Sequence, residues 1–515
     1  MRKPYGYFLV LCISFATAET INIKNGLIEA IKKSPELQEQ YYLHKEVTKD
    51  KALSKAGWFP SFAFIAEHEY TKIDNGSFAN QTTDSSAVEI KQNLFKGFAD
   101  INKYELESAR VHSASFKVSL ERNKRALEFI ENYINVLKNR DFLEISKMSL
   151  DNRTKVYAKI KKKVDVGLGR QLEQRHAKSS LDLSRLTFRV QQRNSSQEVI
   201  KFSKLLNRKI HGKDLEKIEQ SFCMPKDFNA LYEVVKIHNP SLKISKINID
   251  VVQQEYEASQ AGYWPTLDFT ADYYLSNSIS NTNQSNNYEF GITLNYNIFN
   301  GLADRNKQEK QQSRLKQKSA VLRKTQRDLK NRVQLAWFSY ELNQDKYSFS
   351  QINVRSKREA LSSYDYEFLL GRASLNAMLN ATEDYYNALK EMTASYYDLI
   401  TDYYRIMETT GLLYEIVTKQ INLPFTCSAS DTLDVKLVIK EIKPKEVKSL
   451  KTKQQCYKVL KEKISIYDKT TVKSEKRGFL IKDTLFCSEI RIGQWIKIEK
   501  GWVEENGFKA ISIQY

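Results

Sequence analysis

Glycine and proline are scarce in this chain of 515 residues, 17 and 8 in all. Both interrupt helices, so their scarcity leaves room for long unbroken ones. No stretch after the N-terminus approaches the roughly 18 apolar residues of a transmembrane helix, which excludes helical spans from the mature chain. Cysteine is sparse too. Beyond Cys12 there are Cys223, Cys427, Cys456 and Cys487, whose spacing is not a metal-ligand pattern and whose disulfide state stays open. His44, His68, His112, His176, His211 and His238 are scattered, none at ligand spacing from another. HExxH, GxSxG, a phosphate-cradling glycine loop and Cys-x-x-Cys are all absent, which argues against an enzyme and calls for no cofactor or metal.

Positive charge is abundant. Lysine and arginine number 81 against 62 acids, a net charge of +19. Such an excess suits nucleic acid or an anionic surface, or simply lysine on solvated helical faces. The N-terminus favours the last reading. Arg2 and Lys3, the apolar run from Phe8 to Phe15 and Ala16-Thr17-Ala18 before Glu19 form a signal peptide over residues 1–18. An exported chain rarely meets nucleic acid.

Two stretches alternate with a period of two. Leu267, Phe269, Ala271, Tyr273 and Leu275 share one face against Thr266, Asp268, Thr270 and Asp272. Tyr288, Phe290, Ile292, Leu294, Tyr296 and Ile298 likewise alternate with Glu289, Gly291, Thr293, Asn295 and Asn297. These are strands with one apolar and one polar face, and about 9–11 residues is what a tilted strand needs to cross a bilayer. Tyr263 and Trp264 precede the first, where an interfacial aromatic girdle belongs.

The whole unit occurs twice, at a shift of about 204 residues. AGWFPSF (56–62) answers AGYWPTL (261–267), NLFKGFAD (93–100) answers NIFNGLAD (297–304), and LIEAIKKSPEL (27–37) answers LYEVVKIHNPSL (231–242). Gly57 and Gly262 read as helix C-caps, Pro60 and Pro265 as strand starts, and Asp100 and Asp304 as first-turn carboxylates of the next helix. Strands are predicted near 61–72, 86–95, 266–276 and 287–299. A seven-residue seam follows, through Phe129, Val136, Leu143, Leu150, Tyr157 and Val164, and again through Val333, Tyr340, Tyr347, Val354, Leu361 and Phe368. Coiled-coil helices are therefore predicted over about 98–206 and 302–417, each folded back at a glycine, VGLGR (166–170) or LLGRA (369–373). Four strands cannot close a barrel, which needs roughly eight, and open edges in lipid are costly. The chain must pool strands with copies of itself.

The signal peptide, the tandem repeat, the A-G-x-W/F-P and N-x-F-x-G-x-A-D motifs and the glycine-marked tips resemble the outer membrane efflux protein (TolC-like) family over about 21–417. The resemblance implies a mainly α fold with a β-barrel portion. Long coiled-coil hairpins and four transmembrane strands per chain would form a homotrimer, with twelve strands in the outer membrane of a Gram-negative bacterium and a helical tunnel in the periplasm. It implies that the hairpin tips, Val166, Gly167, Leu168 and Arg170 with Leu370, Gly371 and Arg372, meet a periplasmic adaptor (membrane fusion) protein and an inner-membrane ABC or proton-driven pump. The family's paired acidic aperture positions fall here at Ala377 and Asn380, with Asn376 beside them. The carboxylate ring is missing, and Asp365, Glu367, Glu383 and Asp384 lie nearby.

After Val417 the pattern changes. The repeats are assigned to 19–226 and 227–420, and 421–463 reads as a lysine-rich linker, with ten lysines against three acids from Lys436 to Lys463. Residues 464–515 read as short strands with glycine turns, and GQWIKIEKGWV resembles the bacterial SH3-like repeat, which implies peptidoglycan as a possible partner. Two functions follow. One is a passive exit duct for type I secretion or efflux. The other is a periplasmic coiled-coil scaffold or adhesin held to the wall by its tail. What is exported is not written in the sequence.

Overall fold

The computed structural model describes residues 20–74, 78–218, 222–278 and 284–421, and beyond them only strand segments between 432 and 511. The signal peptide, Cys427 and most of 421–463 lie outside the described residues. The chain divides into two compact units, Met1–Leu437 and Val438–Tyr515.

The first unit is built twice over. Its first copy runs α1 (Ile23–Lys33), α2 (Pro35–Ser54), β1 (Ser61–Asp74), β2 (Phe78–Lys96), α3 (Ala99–Asp165), α4 (Gln171–Leu206) and the short β3 (Phe222–Cys223). The second runs α5 (Phe228–His238), α6 (Pro240–Ser259), β4 (Thr266–Ser278), β5 (Gln284–Asn295), α7 (Ala303–Leu369), α8 (Leu375–Thr410) and α9 (Leu413–Val417), with β6 (Thr432–Leu433) pairing back onto β3. Helices α3 and α7 each have 67 residues, and α4 and α8 each have 36. At 1.5 Å per residue the long pair spans about 100 Å.

Each repeat opens on two helices where the motif suggests one. Ser34 and Asn239 precede prolines, which bars them from helical geometry. They stay extended (ψ 117° and 122°) and cap the next helix, accepting hydrogen bonds from the Leu37 and Leu242 amides at 3.3 and 3.2 Å. The predicted helix ending near Val417 is likewise split, because Gly411 turns left-handed (φ 78°) after α8.

Gly57 and Gly262 are not C-caps. They lie in 3₁₀ turns without positive φ, and a β-carbon on either would run into the carboxylate of Asp100 or Asp304. Close approach, not backbone handedness, demands glycine. The repeated A-G and A-D motifs are thus one contact, strand base against helix start.

The four strands form one antiparallel sheet in the order β1-β2-β4-β5. Its register lines up an apolar face: Phe64 opposite Val88, Val88 opposite Tyr273, Tyr273 opposite Tyr288, and Phe269 opposite Ile292. The other face carries Glu89, Asp272 and Glu289 in one row. Among the described residues strands β1 and β5 each have one neighbour, so both edges of this sheet are unpaired there.

Packing of the helices is lopsided between the copies. Helix α6 lies against both α3 and α7, whereas α2 lies against α3. Helix α8 lies between α7 and α3 and is mostly buried, whereas α4 packs chiefly on α3. What remains uncovered is apolar: Phe338, Leu342, Phe349 and Ile352 on α7 are 56–68% exposed, and Leu183, Leu186 and Val190 on α4 are exposed too. The α3 counterparts of Phe338 and Phe349, Ile134 and Ile145, are fully buried, and those of Leu342 and Ile352, Lys138 and Met148, are half-buried.

The second unit contains β7 (Gln455–Val459), β8 (Lys463–Tyr467), β9 (Lys476–Ile481), β10 (Leu485–Ser488), β11 (Arg491–Ile492), β12 (Trp495–Ile498), β13 (Gly501–Glu504) and β14 (Phe508–Ile511). They make a three-stranded sheet, β10-β7-β14, and a five-stranded one, β11-β12-β13-β8-β9. Cys456 and Cys487 stand opposite each other in the β7–β10 register. Cys223, in the first unit, is disulfide-bonded.

Candidate functional site

The two hairpin tips are built alike. Helix α3 ends in a left-handed glycine, Gly167 (φ 77°), whose amide donates to the Val164 carbonyl at 2.9 Å while the Leu168 amide reaches Lys163 at 2.8 Å. Helix α7 repeats this with Gly371 (φ 73°), bonded to Phe368 at 3.1 Å, and Arg372, bonded to Glu367 at 2.8 Å. This pair of reversed bonds satisfies carbonyls that a helix end leaves free, and it needs a positive φ that only glycine adopts cheaply. No atom lies within 4 Å of where a β-carbon would sit on either glycine. Arg170 precedes α4, and Ser374 caps α8 by accepting from the Ala377 amide at 3.2 Å.

The tips present apolar side chains to solvent. Val166 is 68% exposed, Leu168 82% and Leu370 48%, and Arg170 and Arg372 are exposed beside them. Immediately behind, Ile160, Ala177, Leu375, Met378 and Leu379 form a buried cluster joining both hairpins, with Tyr157 and Phe368 against it. The Lys163 ammonium sits 5.4 Å above the Phe368 ring.

Of the aperture positions, Asn376 and Asn380 are exposed on one face of α8, one turn apart, and Ala377 is half-buried. Two of the four nearby carboxylates are engaged in ion pairs. Glu383 is held by Arg153 at 2.9 Å and Asp384 by Lys357 at 2.7 Å. Burial pushes the Asp365 carboxyl above its ordinary range, with Lys159 opposing.

Arg153 is the residue that the sequence reading missed. Its guanidinium is buried and donates to Ser180 of α4, the Leu379 carbonyl and Glu383 of α8, clasping three helices just above the tips. Burial lowers its pKa and Glu383 raises it. The available signal was its place at a seven-residue step between Ser146 and Ile160, both buried: a charge where the seam should be apolar. Midway along the helices, a hollow of about 310 Å³ is lined by Glu131, Ser339, Asn343, Asp398, Asp402 and Arg405. Asp402 there accepts from Ser339 at 2.7 Å and Asn343 at 2.6 Å, so its charge is satisfied by the fold. Among the described residues no cluster of acids, cysteines and histidines could hold a metal ion.

Comparison with known proteins agrees with this architecture. The chain is 21% identical over 437 residues to the alkaline protease secretion protein AprF of Pseudomonas aeruginosa, covering 81% of this chain and 89% of that one. It is 20% identical over 442 residues to the proteases secretion protein PrtF of Dickeya chrysanthemi, covering 80% and 93%. Its fold resembles the crystal structure of CusC, a protein described as forming a transmembrane channel, with a TM-score of 0.70 at 15% identity over 75% of this chain and 91% of that one. The pattern that defines outer membrane efflux proteins matches residues 27–208 and 231–412, one match per repeat. The chain therefore belongs to the outer membrane efflux protein family, whose members are outer-membrane channels and not enzymes.

Proposed function

We propose that three chains pool their strands into a twelve-stranded barrel and continue it as a helical tunnel. The assembly would be the passive exit duct of a tripartite type I secretion or efflux system, energised by an inner-membrane ABC or proton-driven pump. The observation that carries this reading is the sheet itself. It has bilayer-length strands, one apolar face, one acidic face and two unpaired edges. An unpaired edge in lipid costs several kcal/mol per group, and four strands are about half of the smallest closed barrel. The names of AprF and PrtF favour secretion of proteins as the cargo class.

Docking of a periplasmic adaptor falls to Val166, Gly167, Leu168, Arg170, Leu370, Gly371 and Arg372. The exposed apolar groups at both tips support it. Asn376, Ala377 and Asn380 would ring the aperture as a neutral constriction that binds cations weakly. Residues 464–515 are read as an SH3-like barrel able to hold peptidoglycan, supported by the antiparallel β12–β13 pair over GQWIKIEKGWV. The scaffold or adhesin alternative has no use for bilayer-length strands.

The test has two arms. Membrane fractionation and native mass measurement from mild detergent should give an outer-membrane trimer. Replacing Gly167 and Gly371 by tryptophan, into open space, should leave the trimer intact and abolish export. Normal export from the double variant would remove the tips from the docking role.

A further inference from the structure

The internal repeat also fixes how one chain meets the next. Advancing by one repeat carries α3 onto α7 and α8 onto α4, and pairs inside the chain attest the rule. Arg153 bonds Ser180 across α3 and α4, and their counterparts Lys357 and Asp384 bond each other at 2.7 Å across α7 and α8. The junction α3–α8 joins the two copies within a chain, so its counterpart, α7–α4, must join two chains. At the first junction the Tyr397 hydroxyl donates to the Asp141 carboxylate at 2.7 Å, both residues buried. One repeat on, these positions are Arg193 on α4 and Asp345 on α7. Both are exposed, and neither side chain has a partner among the described residues. An arginine reaches about as far from its backbone as a tyrosine hydroxyl, and it brings the opposite charge. Asp345 also lies amid the uncovered Leu342, Phe349 and Ile352, whose side chains require cover.

We propose that Arg193 of one chain pairs with Asp345 of its neighbour, and that this ion pair sets the register of the α4–α7 seam between chains. The same rule applied to the sheet turns the β2–β4 pairing of Ile90 opposite Ala271 into a β5–β1 pairing of Leu294 opposite Ala66 of the neighbour, which keeps both on the apolar face. At this position the copies within a chain are joined by a buried tyrosine–carboxylate hydrogen bond, and those of neighbouring chains by an ion pair.

The proposal rests on the oligomeric reading above, and the experiment separates the two. R193E and D345R are made singly and together in the full chain, and the heat needed to dissociate the detergent-extracted oligomer is measured. Each single reversal should lower the dissociation temperature, and the double reversal should restore it. R193C and D345C together, treated with a short bismaleimide, should trap chains as covalent dimers and trimers on denaturing gels, which neither change alone produces. An oligomer with no recovery in the double reversal and no cross-chain product overturns the pairing. A monomer in native mass measurement overturns the assembly reading beneath it.

Discussion

At the scale of single residues, three positions carry separable physics. Gly262 faces the Asp304 carboxylate with no room for a β-carbon, whereas Gly301 has open space and only a left-handed backbone (φ 67°). G301A should therefore cost about 1–2 kcal/mol, the conformational penalty alone. G262A meets only the Asp304 side chain, which can turn aside by giving up its hydrogen bond from Asn300, so it should cost about 0.5–1.5 kcal/mol; thermal unfolding followed by circular dichroism ranks the two. Arg153→Met should cost about 1–3 kcal/mol, because it removes the charge-assisted hydrogen bonds to Ser180 and Glu383 that tie α4 and α8 to α3. Amide exchange should show the loss concentrated near the tips, and equal protection in the variant would end the role assigned to the clasp. Glu408 gives a pH signature. Burial, aided by Glu131 and opposed by Arg332, pushes its carboxyl above the ordinary value of 4.5. Between the unfolded and folded values the folded chain holds a proton that the unfolded chain has lost, so this group makes stability fall as pH rises through that window. E408Q should thus melt higher than the parent at pH 7.5, with the gain fading as the pH drops towards 4.5.

At the scale of elements, legibility followed periodicity. Strands β4 and β5 were readable because one face meets an apolar medium along their whole length, so every second residue is constrained. The long helices were readable for the same reason at a step of seven: Phe129, Val136, Val333 and Tyr340 are all buried. The split at Ser34–Pro35 has a local sign, a proline with a capping serine before it, but the repeated motif spans both sides of the break. Arg153 was hidden because its partners lie up to 230 residues away, and no local pattern records such a contact. The sheet makes its own forecast. Ile292 stands beside Phe269 on the apolar face, and Thr293 beside Asp268 on the polar one. Arginine at Ile292 should cost roughly 2–4 kcal/mol if it lies near the bilayer midplane. Arginine at Thr293 should assemble normally and alter only the conductance of single channels in planar bilayers. Equal tolerance at both positions would refute a membrane barrel.

At the scale of the molecule, the question is which residues the channel needs. The composition shift after Val417 suggests stopping the chain near residue 420, but the fold places one more strand in the first unit. Strand β6 (Thr432–Leu433) pairs with β3 (Phe222–Cys223), at the join between the repeats, and the unit extends to Leu437. Cys223 is buried and disulfide-bonded beside it. A strand of two residues has no sequence signature, since alternation needs more positions to show. Two truncations therefore differ in outcome. A chain ending at Leu437 keeps the pairing and loses only the second unit; it should insert in the outer membrane, assemble and export at the parent level. A chain ending at 420 frees the backbone groups of β3, at about 1–3 kcal/mol for each buried group left unpaired, and also removes Cys427, Cys456 and Cys487, leaving Cys223 without a disulfide partner in the mature chain. Its oligomer should dissociate at a lower temperature than that of the 437-residue chain, with export retained in proportion to what assembles. Matching dissociation temperatures would mean that β6 contributes nothing to the first unit. If instead the 437-residue chain stays soluble or is degraded, Val438–Tyr515 is part of what holds the channel together.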